Sequence, residues 1–489
     1  MNRDLSLPPQ RVLFASGVIP ELHGCSETAE FIATLPRALS ESGHDVRLIV
    51  PAYTPMLART NDHIQVSRVR LPGTHREARI LRGQTEQNGI LYLVDIPGNP
   101  GQSGDQVLSD AVHCGLFSRI VALVAINQAG INWQPDLLHC AGWQSALAIS
   151  LLAGEWSRPA TIYSMHEANH HYCQNEHIKA LSLPVELLKS GALEMGGQFS
   201  FEKGAILTAD ELLLPSDGYR HELLLNPDAH PLAPLLKERA DRLASIPSSI
   251  DYQRWSPTTD PHLEQHYDSS SFELKKLNRQ RLLGELGLQL EDRDLLISFL
   301  ATDHNGADSE QILGLLESLA PDTPVHILAA GRGADPLLQP LLDNVERFPR
   351  LSVHTLDDSG GWHRMLAGSD CLLLPAPYYP SAQQAQCALG YGTVPIAHAT
   401  ASIDEAVTDA TPANLLHGTA NGFLYADATV GELTDAVMRA SKLYAKPPIW
   451  WEKLAVQGME QNFQVRDSLT AYLQCYQSAI DNPATTPVH

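Results

Sequence analysis

The sequence predicts an α/β protein of two doubly wound, Rossmann-like domains, each a parallel sheet with helices on both faces. Three observations predict it. Short apolar runs alternate with segments of helical apolar spacing through the N-terminal half. A second alternating series begins near Leu295. Between them, 250–288 is polar, with Pro257, Pro261 and a run of serines, and reads as a linker. A length of 489 residues also exceeds one ordinary core.

Taken in order, Arg11–Ala15 (RVLFA) reads as a buried strand. Glu27–Ser42 follows as a helix, with Phe31, Leu35 and Leu39 on one stripe and Ser26 at its start. Val46–Val50, Leu91–Ile96, Leu137–Cys140, Thr161–Met165 and Glu211–Leu214 read as further strands. Helices are expected within Ser109–Asn127, Gln144–Ala153 and Phe201–Ala209. In the second series, Leu295–Ala301 and Val325–Ala330 are strands around a helix at Glu310–Leu319. LSVHTL, CLLLPA and VPIAHA read as three more strands. The expected division is 1–249, a linker 250–290, 291–460, and 461–489 as a final helix and a frayed tail. Ligands bind at the carboxyl ends of parallel strands, so two such sheets predict one shared interdomain site.

The composition, 44% apolar and 18% charged, is that of an ordinary globular protein. The net charge of −22 argues against nucleic acid and anionic membrane as partners, because it repels phosphates. It does not repel a neutral polymer. No apolar run approaches the ~20 residues of a membrane span, and the opening MNRDLSLPPQRVLFASG lacks the apolar core of a signal peptide. Seven irregularly spaced cysteines suggest neither a disulfide framework nor a CxxC metal site. The expectation is a cytoplasmic protein with reduced thiols and no cofactor.

The segment IDYQRWSPTTDPHLEQHYDSSSFELKKLNRQRLLGELGL resembles the interdomain segment of bacterial glycogen and plant starch synthases, glycosyltransferase family 5. PDLLHCAGWQSAL, GWHRMLAGSDCLLLPA, ALGYGTVPI, TANGFLYADAT and LYAKPPIWWEKLAVQGMEQNF agree with that family in order and spacing. The resemblance runs from about Arg11 to Tyr476. It implies the GT-B architecture, with the last helix, about Asp467–Ile480, crossing back onto the N-terminal domain. It also implies a retaining, metal-independent transfer of glucose from ADP-glucose to an α-1,4-glucan.

That transfer needs fixed cations, because negative charge grows on the departing pyrophosphate. An acidic residue near the sugar helps to orient its hydroxyls; the family meets both needs with three signatures, and this chain departs from each. Where the family has Lys-x-Gly-Gly, the sequence reads Gly24-Cys25-Ser26-Glu27, with His23 as the nearest candidate cation. Where it has an Arg and a Lys after the first C-terminal strand, the sequence has Leu300 and Asn305; Thr302, His304 and Gly306 remain candidates on the nucleotide side. Where it has Phe-Glu-Pro-Cys-Gly, the glutamate is replaced by Tyr379. Gly331, Arg332 and Gly333 follow a strand and still allow close backbone approach. His139, Trp143, Gln144 and His166 match sugar-facing positions of the family and, with Tyr379, are the candidates for substrate binding. His363 and Arg364 match a family pair and read as helix packing and capping.

The string HEANH, His166 to His170, has the form of a zinc-hydrolase motif. That motif works on a helix, whereas this one directly follows a strand, so no metal is expected. The expected function is a catalytically impaired synthase homologue that binds a glucan or a partner enzyme of glycogen metabolism. The alternative is an active retaining glycosyltransferase with a changed nucleotide-sugar donor or acceptor; whether a nucleotide sugar binds stays open at this point. A third class, a structural partner without a sugar site, would show neither glucan nor nucleotide binding.

Overall fold

A computed structural model of the chain describes residues 8–19, 26–54, 57, 63–71, 77–84, 89–97, 111–166, 170–226, 228, 230–301, 307–331, 338–356, 360–376 and 382–484. They form two compact units, Met1–Pro247 with Val465–His489, and Ser248–Gln464.

The strands of the first unit are β1 (Arg11–Ser16), β2 (Asp45–Pro51), β3 (Ile64–Arg70), β4 (Glu77–Gln84), β5 (Ile90–Asp95), β6 (Leu137–Ala141), β7 (Ala160–Ser164), β8 (Glu194–Met195), β9 (Gln198–Phe199), β10 (Glu211–Leu214) and β11 (Leu243–Ser245). Nine of them make one sheet in the order β11-β10-β7-β6-β1-β2-β5-β4-β3; β8 and β9 pair apart from it. β1 is central, parallel to β2 and β6, with Phe14 opposite both Leu48 and His139. Its residues from Val12 onward are buried, as expected of a strand covered on both faces.

The first sheet is not wholly parallel. β3 and β4 add an antiparallel edge that the sequence reading missed. β3 is mostly exposed or half-buried, β4 alternates only in part, and Arg68, Arg70, Arg79 and Arg82 interrupt the apolar signal. Charged, half-exposed strands suit a sheet edge, where they discourage further pairing.

The helix Glu27–Glu41 buries Ile32, Leu35, Ala38 and Leu39 in the first core. The final helix Val465–Asp481 adds Tyr472, Cys475, Tyr476 and Ala479 to the same core. The tail is tied further than expected. The Ala484 N–H donates to Asp210 Oδ1 at 2.7 Å, and residues 485–489 lie outside the described ones.

The second unit holds β12 (Leu295–Leu300), β13 (Val325–Gly331), β14 (Leu351–Thr355), β15 (Cys371–Leu374), β16 (Val394–His398) and β17 (Phe423–Tyr425). Their order is β14-β13-β12-β15-β16-β17, and every pairing is parallel. The short β17 was not foreseen.

The segment read as a linker is built into this unit. Trp255 is buried and stacks on His363, with ring centroids 4.1 Å apart and planes 1° from parallel. His363 Nδ1 lies 2.7 Å from Asp260 Oδ2, and the Tyr391 hydroxyl donates to the same oxygen. Burial pushes the Asp260 carboxyl up, but the His363 and Tyr391 contacts outweigh it and hold the group below its ordinary value. Lys275 is buried as well. Its ammonium donates to the carbonyls of Leu366 (2.8 Å), Ala367 (3.0 Å) and Tyr391 (3.1 Å) and to Thr393 Oγ1 (2.8 Å). Composition misled here because these polar residues are satisfied inside the fold rather than by water. Gly392 completes the turn into β16 at φ +63°, and a Cβ there would stand 2.7 Å from the Phe272 ring.

His363→Leu should therefore destabilise the second unit by about 3–5 kcal/mol, because Asp260 would be left buried without its ring partner. Urea unfolding followed by fluorescence of the buried Trp255 reports it. An unchanged midpoint would show that the pair carries no stability.

Candidate functional site

In the first unit, β1, β6 and β7 end side by side, with Ser16, Ala141 and Ser164 in register. A helix begins soon after β1 and directly after β6, at Glu27 and at Trp143. Gly17 lies against the second of these helices, and a Cβ on it would stand 2.4 Å from Gln144 Cβ. Only glycine lets strand and helix approach so closely there.

His139 was expected to touch substrate. It is instead fully buried, with Nδ1 2.8 Å from the Tyr476 hydroxyl and Nε2 2.6 Å from Ser164 Oγ. Both ring nitrogens are used, and burial pulls the ring well below its ordinary pKa, so it stays neutral. His139 fastens the final helix to the sheet and has nothing left to offer a ligand.

His166 differs. It lies just past β7, after Met165, 6% exposed, and among the described residues neither ring nitrogen makes a hydrogen bond. Its Nδ1 lies 3.6 Å from Glu27 Oε1, and its ring packs on Phe31 with centroids 4.4 Å apart. Ser26 caps the helix Glu27–Glu41 by position alone; its hydroxyl makes no capping bond. Trp143 is buried and stacks on His171 at 4.5 Å. Gln144 is buried, and among the described residues its Oε1 has no hydrogen-bond partner.

His170 turns to a second carboxylate, with Nδ1 2.9 Å from Glu202 Oε2. The backbone N–H of His171 donates to that oxygen at 3.2 Å, and the Tyr163 hydroxyl donates to Oε1 at 3.3 Å. Burial pushes the Glu202 carboxyl up, but His170 and His171 more than offset it and hold the group low. The His230 ring lies 5.9 Å from that of His170, and burial pushes it down to about 4. The two histidines of HEANH thus face different carboxylates, and both lie outside any helix. Among the described residues, no group of three His, Cys, Asp or Glu is placed to hold a metal ion. Glu27 and Glu202 escaped the sequence reading. Each is the first or second residue of a helix, where a carboxylate is unremarkable.

In the second unit, Leu300 ends β12 opposite Ala330, its side chain buried. Gly331 ends β13 opposite Thr355. The Ala376 N–H, beyond β15, donates to the Tyr425 hydroxyl at 2.9 Å. Gly24 and His23, then Thr302, His304, Asn305 and Gly306, then Arg332 and Gly333, and Tyr379 all lie outside the described residues. Arg364 pairs with Glu285 at 3.3 Å on the helix Lys275–Leu286.

Residues 11–238 match the starch synthase catalytic domain family. Glycogen synthase 2 of Nitrosococcus oceani is 32% identical over 481 residues, covering 96% of this chain and 97% of the relative. The chain belongs to the glycogen/starch synthase family. Glycogen synthase of Thioalkalivibrio sulfidiphilus is 31% identical, covering 96% of this chain and all of that relative. The catalytic domain of Arabidopsis thaliana starch synthase IV superposes with a TM-score of 0.85 over 97% of this chain and 100% of its own, at 20% identity. The GT-B fold expected from the sequence is therefore present. Sucrose-phosphate synthase of Thermosynechococcus elongatus is a more distant neighbour, with a TM-score of 0.59 at 13% identity over 96% of this chain. Among the described residues, no helix is long and apolar enough to cross a membrane.

In this family member, the depressed His230 ring sets a pH dependence. Its folded value of about 4 lies below the ordinary 6.5. The stability it contributes is complete above 6.5 and is lost as pH falls from 6.5 toward 4. His230→Asn keeps an acceptor for the Leu232 N–H, which the ring now binds at 3.1 Å. The variant should lose up to ~1.4 kcal/mol per pH unit of slope across that window. Urea midpoints measured at closely spaced pH values check this, and identical slopes in both proteins would refute it.

Proposed function

We propose that this protein keeps the glucan-binding capacity of the glycogen/starch synthase scaffold and has lost most of its capacity to cleave ADP-glucose. One observation carries the reading. At the four positions where the family signatures place two lysines, an arginine and a glutamate, the chain has Gly24, Asn305, Leu300 and Tyr379. None supplies a fixed charge at neutral pH.

The physical consequence falls on the leaving group. As the bond from sugar to diphosphate breaks, the pyrophosphate gains negative charge, and preorganised cations lower the barrier by meeting it there. A buried leucine at the end of β12 cannot do so. Removing one such contact costs about 3–4 kcal/mol, or a hundredfold to a thousandfold in rate. Recognition of a neutral sugar makes no such demand. It needs hydroxyl partners and apolar faces, which His166, Trp143, Gln144 and Tyr379 can provide.

The starch synthase IV neighbour is described with ADP and acarbose bound. Carried over to this chain, that supports binding of a nucleotide sugar and of a glucan; the family resemblance puts the glucan side in the first unit and the nucleotide side in the second. On the nucleotide side Thr302, His304, Gly306, Gly331, Arg332 and Gly333 are the candidate contacts. A role beside a partner enzyme of glycogen metabolism, in the cytoplasm, is consistent with this reading.

A second reading is favoured by the full-length alignment with relatives named glycogen synthases. In it the chain is an active transferase whose donor site is rebuilt from His23, His304, Arg332 and Tyr379. It predicts a saturable melting-temperature shift with some nucleotide sugar.

Labelled glucose transfer from ADP-glucose to glycogen separates the two. Assayed beside the Nitrosococcus oceani relative, this protein should turn over at least ~10³-fold more slowly. Comparable rates would end the first reading.

A further inference from the structure

We propose that a monovalent-cation site lies where the helices Gly361–Gly368 and Gln383–Gly390 end, and that this chain fills it with its own Lys275 ammonium; once that side chain is removed, a potassium or ammonium ion takes its place. The inference is independent of the sugar chemistry proposed above.

A buried ammonium is ordinarily paired with a carboxylate. Lys275 is 6% exposed, and among the described residues it forms no ion pair. Its Nζ faces four neutral oxygens instead, the carbonyls of Leu366 (2.8 Å), Ala367 (3.0 Å) and Tyr391 (3.1 Å) and Thr393 Oγ1 (2.8 Å). An ammonium has three hydrogens. Four oxygens at bonding distance are therefore more than directed hydrogen bonds require, and they surround Nζ as a cage surrounds a point charge. Asp370, the nearby carboxylate, is engaged elsewhere. Its Oδ2 accepts from Arg279 and from the Leu296 N–H, and its Oδ1 from the Tyr444 hydroxyl at 3.2 Å.

Three of the four oxygens belong to helix ends. Leu366 and Ala367 lie in the last turn of Gly361–Gly368, and Tyr391 directly follows Gln383–Gly390. Carbonyls there lack partners within their own helix, and the helix dipole adds negative charge to them. Two such ends meeting at one point favour a cation whether or not it is joined to the chain. The oxygens are also held in place. The Tyr267 hydroxyl donates to the Tyr391 carbonyl at 2.8 Å, and the Thr393 hydroxyl donates to the Leu366 carbonyl, which leaves the Thr393 lone pairs for the cation. The face of the Tyr267 ring, with its centroid 5.8 Å from Nζ, adds a further attraction. Backbone carbonyls fixed around a point replace the hydration shell of potassium. Burial pushes the Lys275 ammonium down to about 7, against the pull of Asp370, so below that pH the cage holds a charge.

The test is urea unfolding of the full chain near pH 6, below that value, in potassium, ammonium or choline chloride at equal ionic strength. Lys275→Ala removes the charge and the stem; Lys275→Met removes the charge and keeps an apolar stem in its place. Both variants should unfold at lower urea than wild type in choline chloride. Potassium or ammonium should restore at least half of that loss in Lys275→Ala, saturably with concentration, and should leave Lys275→Met and wild type where they are in choline. A Lys275→Ala midpoint that is the same in all three salts overturns the inference. So does an equal gain in Lys275→Met, which marks a general salt effect, or a Lys275→Ala midpoint in choline equal to that of wild type. Where Lys275→Ala fails to fold in choline chloride, its refolding yield decides: a higher yield in potassium or ammonium chloride supports the site, and an equal one overturns it.

Discussion

A parallel strand buried on both faces can offer chemistry only at its ends. That constraint governs both units of this protein. Every residue of β6, β10, β12, β13 and β15 is buried, so polar groups along those strands must be satisfied inside. His139 shows the consequence. It sits within β6 and spends both ring nitrogens on Ser164 and Tyr476. Its neighbour across the sheet end, His166, lies just beyond β7, and among the described residues neither of its nitrogens makes a hydrogen bond. A few residues along a strand separate a scaffold histidine from one that can meet a ligand.

Much of the fold was legible because buried parallel strands write themselves as unbroken apolar runs. RVLFA, LLISFLA and VHILAA each became a strand, and the spacing of Leu35 and Leu39 became a helix. What was illegible has a common cause: polar residues whose partners are far away in sequence. The arginines of β3 and β4 hid an edge hairpin. Segment 250–288 read as a polar linker, and in the fold Asp260 meets His363 and Tyr391, and Lys275 meets the carbonyls of a later helix. No local pattern announces a contact made more than ninety residues away.

The site was less legible than the fold for the same reason. Sequence alignment placed His139 and His166 in one category, and only burial divides them. Glu27 looked like an ordinary acidic residue in a first helical turn. His166 reaches the same helix end from a different strand, with Nδ1 3.6 Å from Glu27 Oε1. The losses at Leu300, Asn305 and Tyr379 were legible because they are changes of residue type, and an absent charge needs no geometry to be recognised. At the positions where the family signatures place two lysines and an arginine, the chain has Gly24, Asn305 and Leu300.

Calorimetric titration of the wild-type chain with maltopentaose and with ADP-glucose, in the same buffer, decides whether this family member recognises a neutral glucan better than a charged donor, as proposed. Saturable binding of maltopentaose and no saturable heat from ADP-glucose are expected. Tighter binding of ADP-glucose than of maltopentaose would refute the proposal.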